Sequence, residues 1–197
     1  MVDIDTLLAW GGVYKKIGHG QTVFHEGSQA HFYHQLVSGS VHMMNIDEGG
    51  NELIQDIREP GDSFGELPLF DGQGYAATAL AAKDSVIIRL HKDTFHQLLE
   101  ENPDIHFAFT RVISERLRFK LLFLKELSFE GPEHRISTLF NYFKSSKKNI
   151  CYQCSQIMLT RQQIANMTGL RVETVIRTIK NMQEKGQLLI NKGKVYC

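Results

Sequence analysis

Residues 160–185 read TRQQIANMTGLRVETVIRTIKNMQEK, and the spacing of this stretch predicts two helices joined by a tight turn. Thr160 is placed to cap the first helix, with Gln163 where a capping box needs its reciprocal partner. Ile164 and Ala165 supply a small apolar face. Gly169 stands at the turn, where a positive φ is least costly. In the second helix Val175, Ile179 and Met182 recur at helical spacing, so they share one face. Glu173, Arg177 and Lys180 share the opposite face, with Ile176 beside them and Val172 nearby. A face of that chemistry can read DNA base edges: Arg pairs with guanine, Glu accepts from the cytosine amino group, and aliphatic groups touch thymine methyls. The same residues also suit a solvated face carrying an i,i+4 Glu173–Arg177 pair. As a whole, the pattern predicts a helix-turn-helix.

The longer segment LTRQQIANMTGLRVETVIRTIKNMQEKGQL, residues 159–188, resembles the DNA-binding motif of the CRP/FNR family of bacterial transcription regulators. Its most specific part is the E-T-V-x-R core from Glu173 to Arg177, and the resemblance extends over nearly the whole chain. It implies that the second helix enters the major groove of a palindromic operator, with Glu173 and Arg177 as base readers. An Arg before the Glu resembles the cyclic-AMP receptor branch and a Val the FNR branch; this chain has Val172. The FNR branch also carries a Ser just before the final Arg, where Ile176 stands. The expected half-site is therefore related to both branches and fixed by neither. Thr160, Arg161, Lys180, Lys192 and Lys194 are the expected DNA-backbone contacts, with Lys147 and Lys148 as further candidates; such contacts position a domain without reading sequence.

Charge is distributed in keeping with this. The formal net charge is zero, yet residues 1–130 hold 11 Lys and Arg against 19 Asp and Glu, a balance of −8. Residues 131–197 hold 11 against 3, a balance of +8. An acidic half joined to a basic half points the C-terminal part at a polyanion. No apolar run is long enough to span a membrane and no signal-peptide pattern opens the chain, so a cytoplasmic protein without membrane partners is expected. Three cysteines do not make a secreted disulfide framework.

Upstream, Leu7, Leu8 and Trp10 suggest a short helix. From Tyr14 to Leu90 short Val-, Ile-, Phe- and Tyr-rich segments alternate with glycines, a pattern of antiparallel strands. Gly49-Gly50 reads as a hairpin turn between MMNI and ELIQDI. The placement of Gly39, Gly61 and Gly65 resembles the jelly-roll of the cyclic-nucleotide-binding domain. The family's nucleotide cassette would then lie at GDSFGELPLFDGQGYAA, residues 61–77. By resemblance the effector pocket is Phe64, Gly65, Glu66, Leu67, Tyr75 and Ala76. In nucleotide-binding members the turn offers backbone N–H groups to the phosphate, the Glu (here Glu66) binds the ribose, and an Arg pairs with the phosphate. At the position of that Arg stands Tyr75, and no Lys or Arg occurs from Glu59 to Ala82. A buried cyclic phosphate would lack its counter-charge, so cyclic AMP is not the expected effector.

Residues 92–100 suggest a short amphipathic helix, and Asn102-Pro103-Asp104 the start of a long one reaching about Phe129. Ile113, Leu117, Leu124 and Leu127 form a heptad-like seam with Leu121 beside it; Phe109, Val112, Phe119, Leu122 and Phe123 form a second apolar surface. Two apolar surfaces need two partners, and a parallel helix from a second copy is the simplest. The resemblance agrees and places a homodimer interface at Ile113, Leu117, Leu121 and Leu124. It also puts Lys120 and Leu121 where cyclic-AMP-binding members offer small hydroxyl residues to the adenine. Glu130-Gly131-Pro132 reads as a hinge, His134–Phe143 as a helix, Lys144–Lys148 as a basic loop, Ile150–Leu159 as a strand pair, and LLINKGKVY as a hairpin wing.

Two constellations remain. Among nine histidines, His31 and His34 suggest a metal or haem pair, but three apart in a strand they face opposite sides. Cys151 and Cys154 form a CxxC, with Cys197 a third cysteine and His134 a conceivable fourth ligand; zinc usually needs four. The expectation is an α+β chain: a β-roll (jelly-roll) sensor at 1–101, a dimerisation helix and hinge at 102–130, and a winged helix-turn-helix at 131–197. It is expected to be a dimeric DNA-binding transcription regulator and not an enzyme. It would have double-stranded DNA and, by resemblance, RNA polymerase as partners, an unidentified small-molecule effector, and no metal or catalytic residues assigned. The alternatives are a metal, haem or redox sensor on the same fold, and a β-roll metalloenzyme, which would need histidines and a carboxylate converging inside the roll.

Overall fold

The structure is a computed structural model that describes residues 2–129, 131–151 and 153–197, with the side chain of Phe129 left out. Two compact units divide at Ser114 and Glu115. In the first, α1 (Ile4–Ala9) is capped by Asp3, whose carboxylate accepts from the Thr6 N–H. Eight strands follow among the described residues: β1 (Val13–Ile17), β2 (Thr22–Phe24), β3 (Phe32–Ser38), β4 (Val41–Ile46), β5 (Glu52–Arg58), β6 (Ser63–Phe64), β7 (Thr78–Ala81) and β8 (Ser85–His91). They form two antiparallel sheets of order β1-β8-β3-β6 and β2-β7-β4-β5. Val41, Ala79, Leu36 and Ile87, drawn from both sheets, share one core.

Strand β3 is buried along both faces, which simple alternation does not foresee. The reason is α3 (Lys92–Glu101), which covers one side: Tyr33 stacks on Phe95 at 4.2 Å, and Phe109 of α4 (Pro103–Phe129) closes on both rings edge-on. His34, on the other face, stacks on Phe64 inside the roll. Between β6 and β7 lies α2 (Leu67–Asp71).

The second unit contains the remainder of α4, then α5 (Pro132–Ser146), α6 (Arg161–Thr168), α7 (Val172–Glu184) and the hairpin β9 (Leu189–Asn191) and β10 (Lys194–Tyr196). Helix α5 is longer than the expected 134–143 at both ends. Pro132 sits in its first turn, where a missing N–H costs nothing, and Lys147 with φ 57° ends it. Lys144 is therefore helical and not part of a basic loop. Among the described residues the expected strand pair over 150–159 reduces to the bridge Ile150↔Ile157, because Asn149 and Ser155 take positive φ and break the extended run. Of the expected hinge, Glu130 lies outside the described residues. No helix among the described residues is long and apolar enough to cross a membrane.

Candidate nucleic-acid interface

The expected capping box is present. Thr160 Oγ1 accepts from the Gln163 N–H at 3.1 Å, and Gln163 Oε1 accepts from the Thr160 N–H at 2.9 Å. This fixes the start of α6 and engages the Thr160 hydroxyl in the cap. Gly169 closes the helix with φ 64°, its N–H donating to the Ala165 carbonyl. Three residues later α7 begins, and Val175, Ile179 and Met182 bury its inner face together with Ile164, Ala165 and Met167.

The outer face of α7 then has no choice but to look outward. Glu173, Ile176, Arg177 and Lys180 are exposed and Val172 is half-buried. No ion pair joins Glu173 to Arg177 among the described residues, so both heads keep their hydrogen-bonding capacity. Arg171, also exposed, occupies the N-cap of α7. Sequence reading passed over it because a cap position has no place in helical periodicity.

Lys192 and Gly193 form a two-residue turn between paired Asn191 and Lys194, with φ 47° and 78°. Positive φ at both positions is the geometry that matches strand twist in a tight hairpin, and it leaves Lys192 and Lys194 exposed at the tip. Arg161 reaches across to this tip, its guanidinium donating to the Gly193 carbonyl at 3.4 Å. Burial lowers its pKa, yet an Arg starts so high that it stays charged. At the other end of α7, Lys185 pairs with Glu133 of α5 at 2.6 Å and Gln187 donates to the same carboxylate. The Lys185 hydrogen bond holds Glu133 below the usual carboxylate range.

In the roll, the residues expected around an effector are only partly gathered. Phe64, Glu66 and Tyr75 are buried, whereas Leu67 and Ala76 are exposed, as are Lys120 and Leu121 on α4. The Tyr75 ring lies flat on Phe24, 3.6 Å between centroids, and Phe24 also neighbours Phe64 and His34. Both rings press on the turn: a Cβ at Gly65, whose φ is +70°, would lie 2.6 Å from Phe24 and 2.8 Å from Tyr75. Backbone bonds from Gly27 N–H to the Tyr75 carbonyl and from Tyr75 N–H to the Ser28 carbonyl pin this segment. Glu66 accepts a very short hydrogen bond from the Ser63 hydroxyl. Desolvation pushes the Tyr75 phenol up to about 12, so it remains neutral. His31 is exposed and His34 buried, and no group of three or more His, Cys, Asp or Glu among the described residues is arranged to hold a metal ion.

On the dimer seam, Leu117, Leu121 and Leu124 are exposed, while Ile113 packs partly against the core of the roll. Part of the second apolar surface is covered within the chain, since Phe119 stacks on Tyr142 of α5 at 3.6 Å.

Comparison with known proteins adds to this geometry. Residues 14–102 match the cyclic nucleotide-binding domain and residues 135–196 the Crp-like helix-turn-helix domain. The chain is 33% identical over 175 residues to the cAMP-activated global transcriptional regulator CRP of Pasteurella multocida, covering 88% of this chain and 83% of that one. It is 25% identical over 176 residues to the cyclic AMP receptor protein of Thermus thermophilus, covering 89% and 79%. Among solved structures, the c-di-GMP responsive regulator CLP of Xanthomonas campestris superposes with TM-score 0.77 at 21% identity, over 98% of this chain and 96% of that one.

Proposed function

The chain belongs to the CRP/FNR family of transcription regulators, and from that premise we propose that two copies bind one palindromic operator, each reading a half-site with α7. The observation that carries this is the two-sided character of α7: Val175, Ile179 and Met182 buried, Glu173, Ile176 and Arg177 exposed and free of an internal ion pair. Glu173 and Arg177 read bases, with Val172 and Ile176 beside them able to offer only methyl contacts. Arg161, Lys180, Lys192 and Lys194 meet phosphates; Thr160 contributes through its cap. The seam Leu117, Leu121 and Leu124, with a smaller part from Ile113, joins the two copies.

The relatives' names specify cyclic AMP, but the family pattern this turn resembles puts an Arg on the phosphate where this chain has Tyr75. Tyr75 is a buried, neutral phenol and Glu66 a buried acid. The effector is therefore a molecule other than cyclic AMP, acting at the turn of Phe64, Gly65, Glu66 and Tyr75. The sensor at 1–101, helix at 102–130 and DNA-binding part at 131–197 are the proposed working divisions of a cytoplasmic regulator that acts with RNA polymerase. Selection of binding sites from random duplexes tests the proposal. The expected product is a palindrome with half-sites centred about one helical turn apart. Enrichment of single, unpaired half-sites, or of no sequence, would contradict it.

A further inference from the structure

The CxxC at Cys151 and Cys154 takes no part in the function proposed above. It lies in a tight loop between the bridged residues Ile150 and Ile157. The Cys151 N–H donates to the Gln156 carbonyl and the Ser155 N–H to the Cys151 carbonyl, each at 2.8 Å. Ser155, at φ 56°, turns the chain back. The Ser155-to-Cys151 bond closes the backbone into a turn that carries Cys151 at one end and Cys154 next to the other. That turn brings Cys154 back beside Cys151 in the chain's path. Both residues are reachable, Cys154 exposed and Cys151 half-buried.

The third cysteine is different. Cys197 is tied to the loop through its N–H, which donates to the Ser155 carbonyl at 3.2 Å, but its thiol is pushed up by burial. The donors around Cys151 instead hold that thiol below its ordinary value, the Cys154 thiol contributing most. A thiolate is the attacking form in disulfide exchange.

We propose that Cys151 and Cys154 are a dithiol–disulfide pair, oxidised reversibly by a small-molecule disulfide of the glutathione type. The Cys151 thiolate attacks one sulfur of glutathione disulfide, whose S–S bond breaks as the other half leaves as a thiolate. Cys154 gives up its proton and attacks Cys151 of the mixed disulfide, expelling the second glutathione thiolate. The protein loses two electrons and two protons, and two glutathione thiols form. The loop passes this change to the wing, because Gln156 bridges Tyr196 and the Ile157 N–H donates to the Val195 carbonyl at 2.8 Å.

Alkylation of free thiols after equilibration with glutathione disulfide, with peptide mapping, tests the pair. The wild type should lose two of its three alkylatable thiols, with the link mapped between Cys151 and Cys154. Cys197→Ser should behave the same way, and Cys154→Ser should instead accumulate a glutathione adduct on Cys151. Backbone amide resonances of Gln156 and Tyr196 should move on oxidation of the wild type. Retention of all free thiols, a link that includes Cys197, a link between two chains, or an adduct confined to Cys197 would overturn the pair. A Cys151–Cys154 disulfide that leaves those amides unmoved would overturn the coupling to the wing.

Discussion

Tyr75 shows how one residue can redirect a turn that otherwise resembles the family's nucleotide cassette. Its ring lies flat on Phe24 and against Gly65, so the turn that resembles a phosphate cradle is covered by an aromatic pair instead of a guanidinium. Titration calorimetry with cyclic AMP and cyclic GMP should therefore show no binding in the micromolar range; competitive micromolar binding of both would refute this. Beside that stack, His34 has one buried ring nitrogen without a hydrogen-bond partner, and burial, with Arg89 and Lys15 adding and Glu66 opposing, lowers its pKa to about 3. The unfolded chain takes up the proton near pH 6.5 while the folded one refuses it. Stability from this residue is thus complete above pH 6.5 and lost as pH falls toward 3, by up to about 1.4 kcal/mol per pH unit. In urea denaturation, the stability of wild type relative to His34→Phe should fall steadily as the pH falls through that window. A constant difference between them would mean that His34 does not titrate this way.

Helices α4, α6 and α7 carry the surfaces to which the proposed function assigns dimerisation and DNA reading. On α4 the leucines at 117, 121 and 124 stay exposed in the single chain, an apolar stripe that a soluble helix seldom leaves uncovered. Leu117→Glu should leave each chain folded and produce a monomer by sedimentation, since a carboxylate in that seam has no partner. An intact dimer would move the interface elsewhere. Local signals made much of this readable in sequence: the Thr160 and Gln163 cap, the Gly49-Gly50 turn and the Pro103 helix start all act within a few residues. What escaped was long-range or dihedral. The Phe24–Tyr75 and Phe119–Tyr142 stacks join residues far apart in the chain, and no periodicity announces them. The positive φ of Asn149 and Ser155 broke an apparently extended run, and the Arg161 link to Gly193 depends on how the wing folds back. The exposed outer face of α7 was legible because its complement, the buried stripe, was periodic.

For the whole molecule, the opposite charges of the two halves favour DNA at the basic one, where the proposed function has α7 read bases while the wing holds the backbone. The direct measurement is the affinity of wild type, Arg177→Ala, Lys192→Ala and Lys194→Ala for the selected operator and each of its single-base variants, over a range of salt. Arg177→Ala should cost about 1–3 kcal/mol on the selected site and erase discrimination at one base pair per half-site. The two lysine variants should weaken every sequence alike and reduce the salt slope by about one unit per lost phosphate contact. A loss for Arg177→Ala that is equal across all sequences would make Arg177 a phosphate contact and contradict the reading orientation of α7.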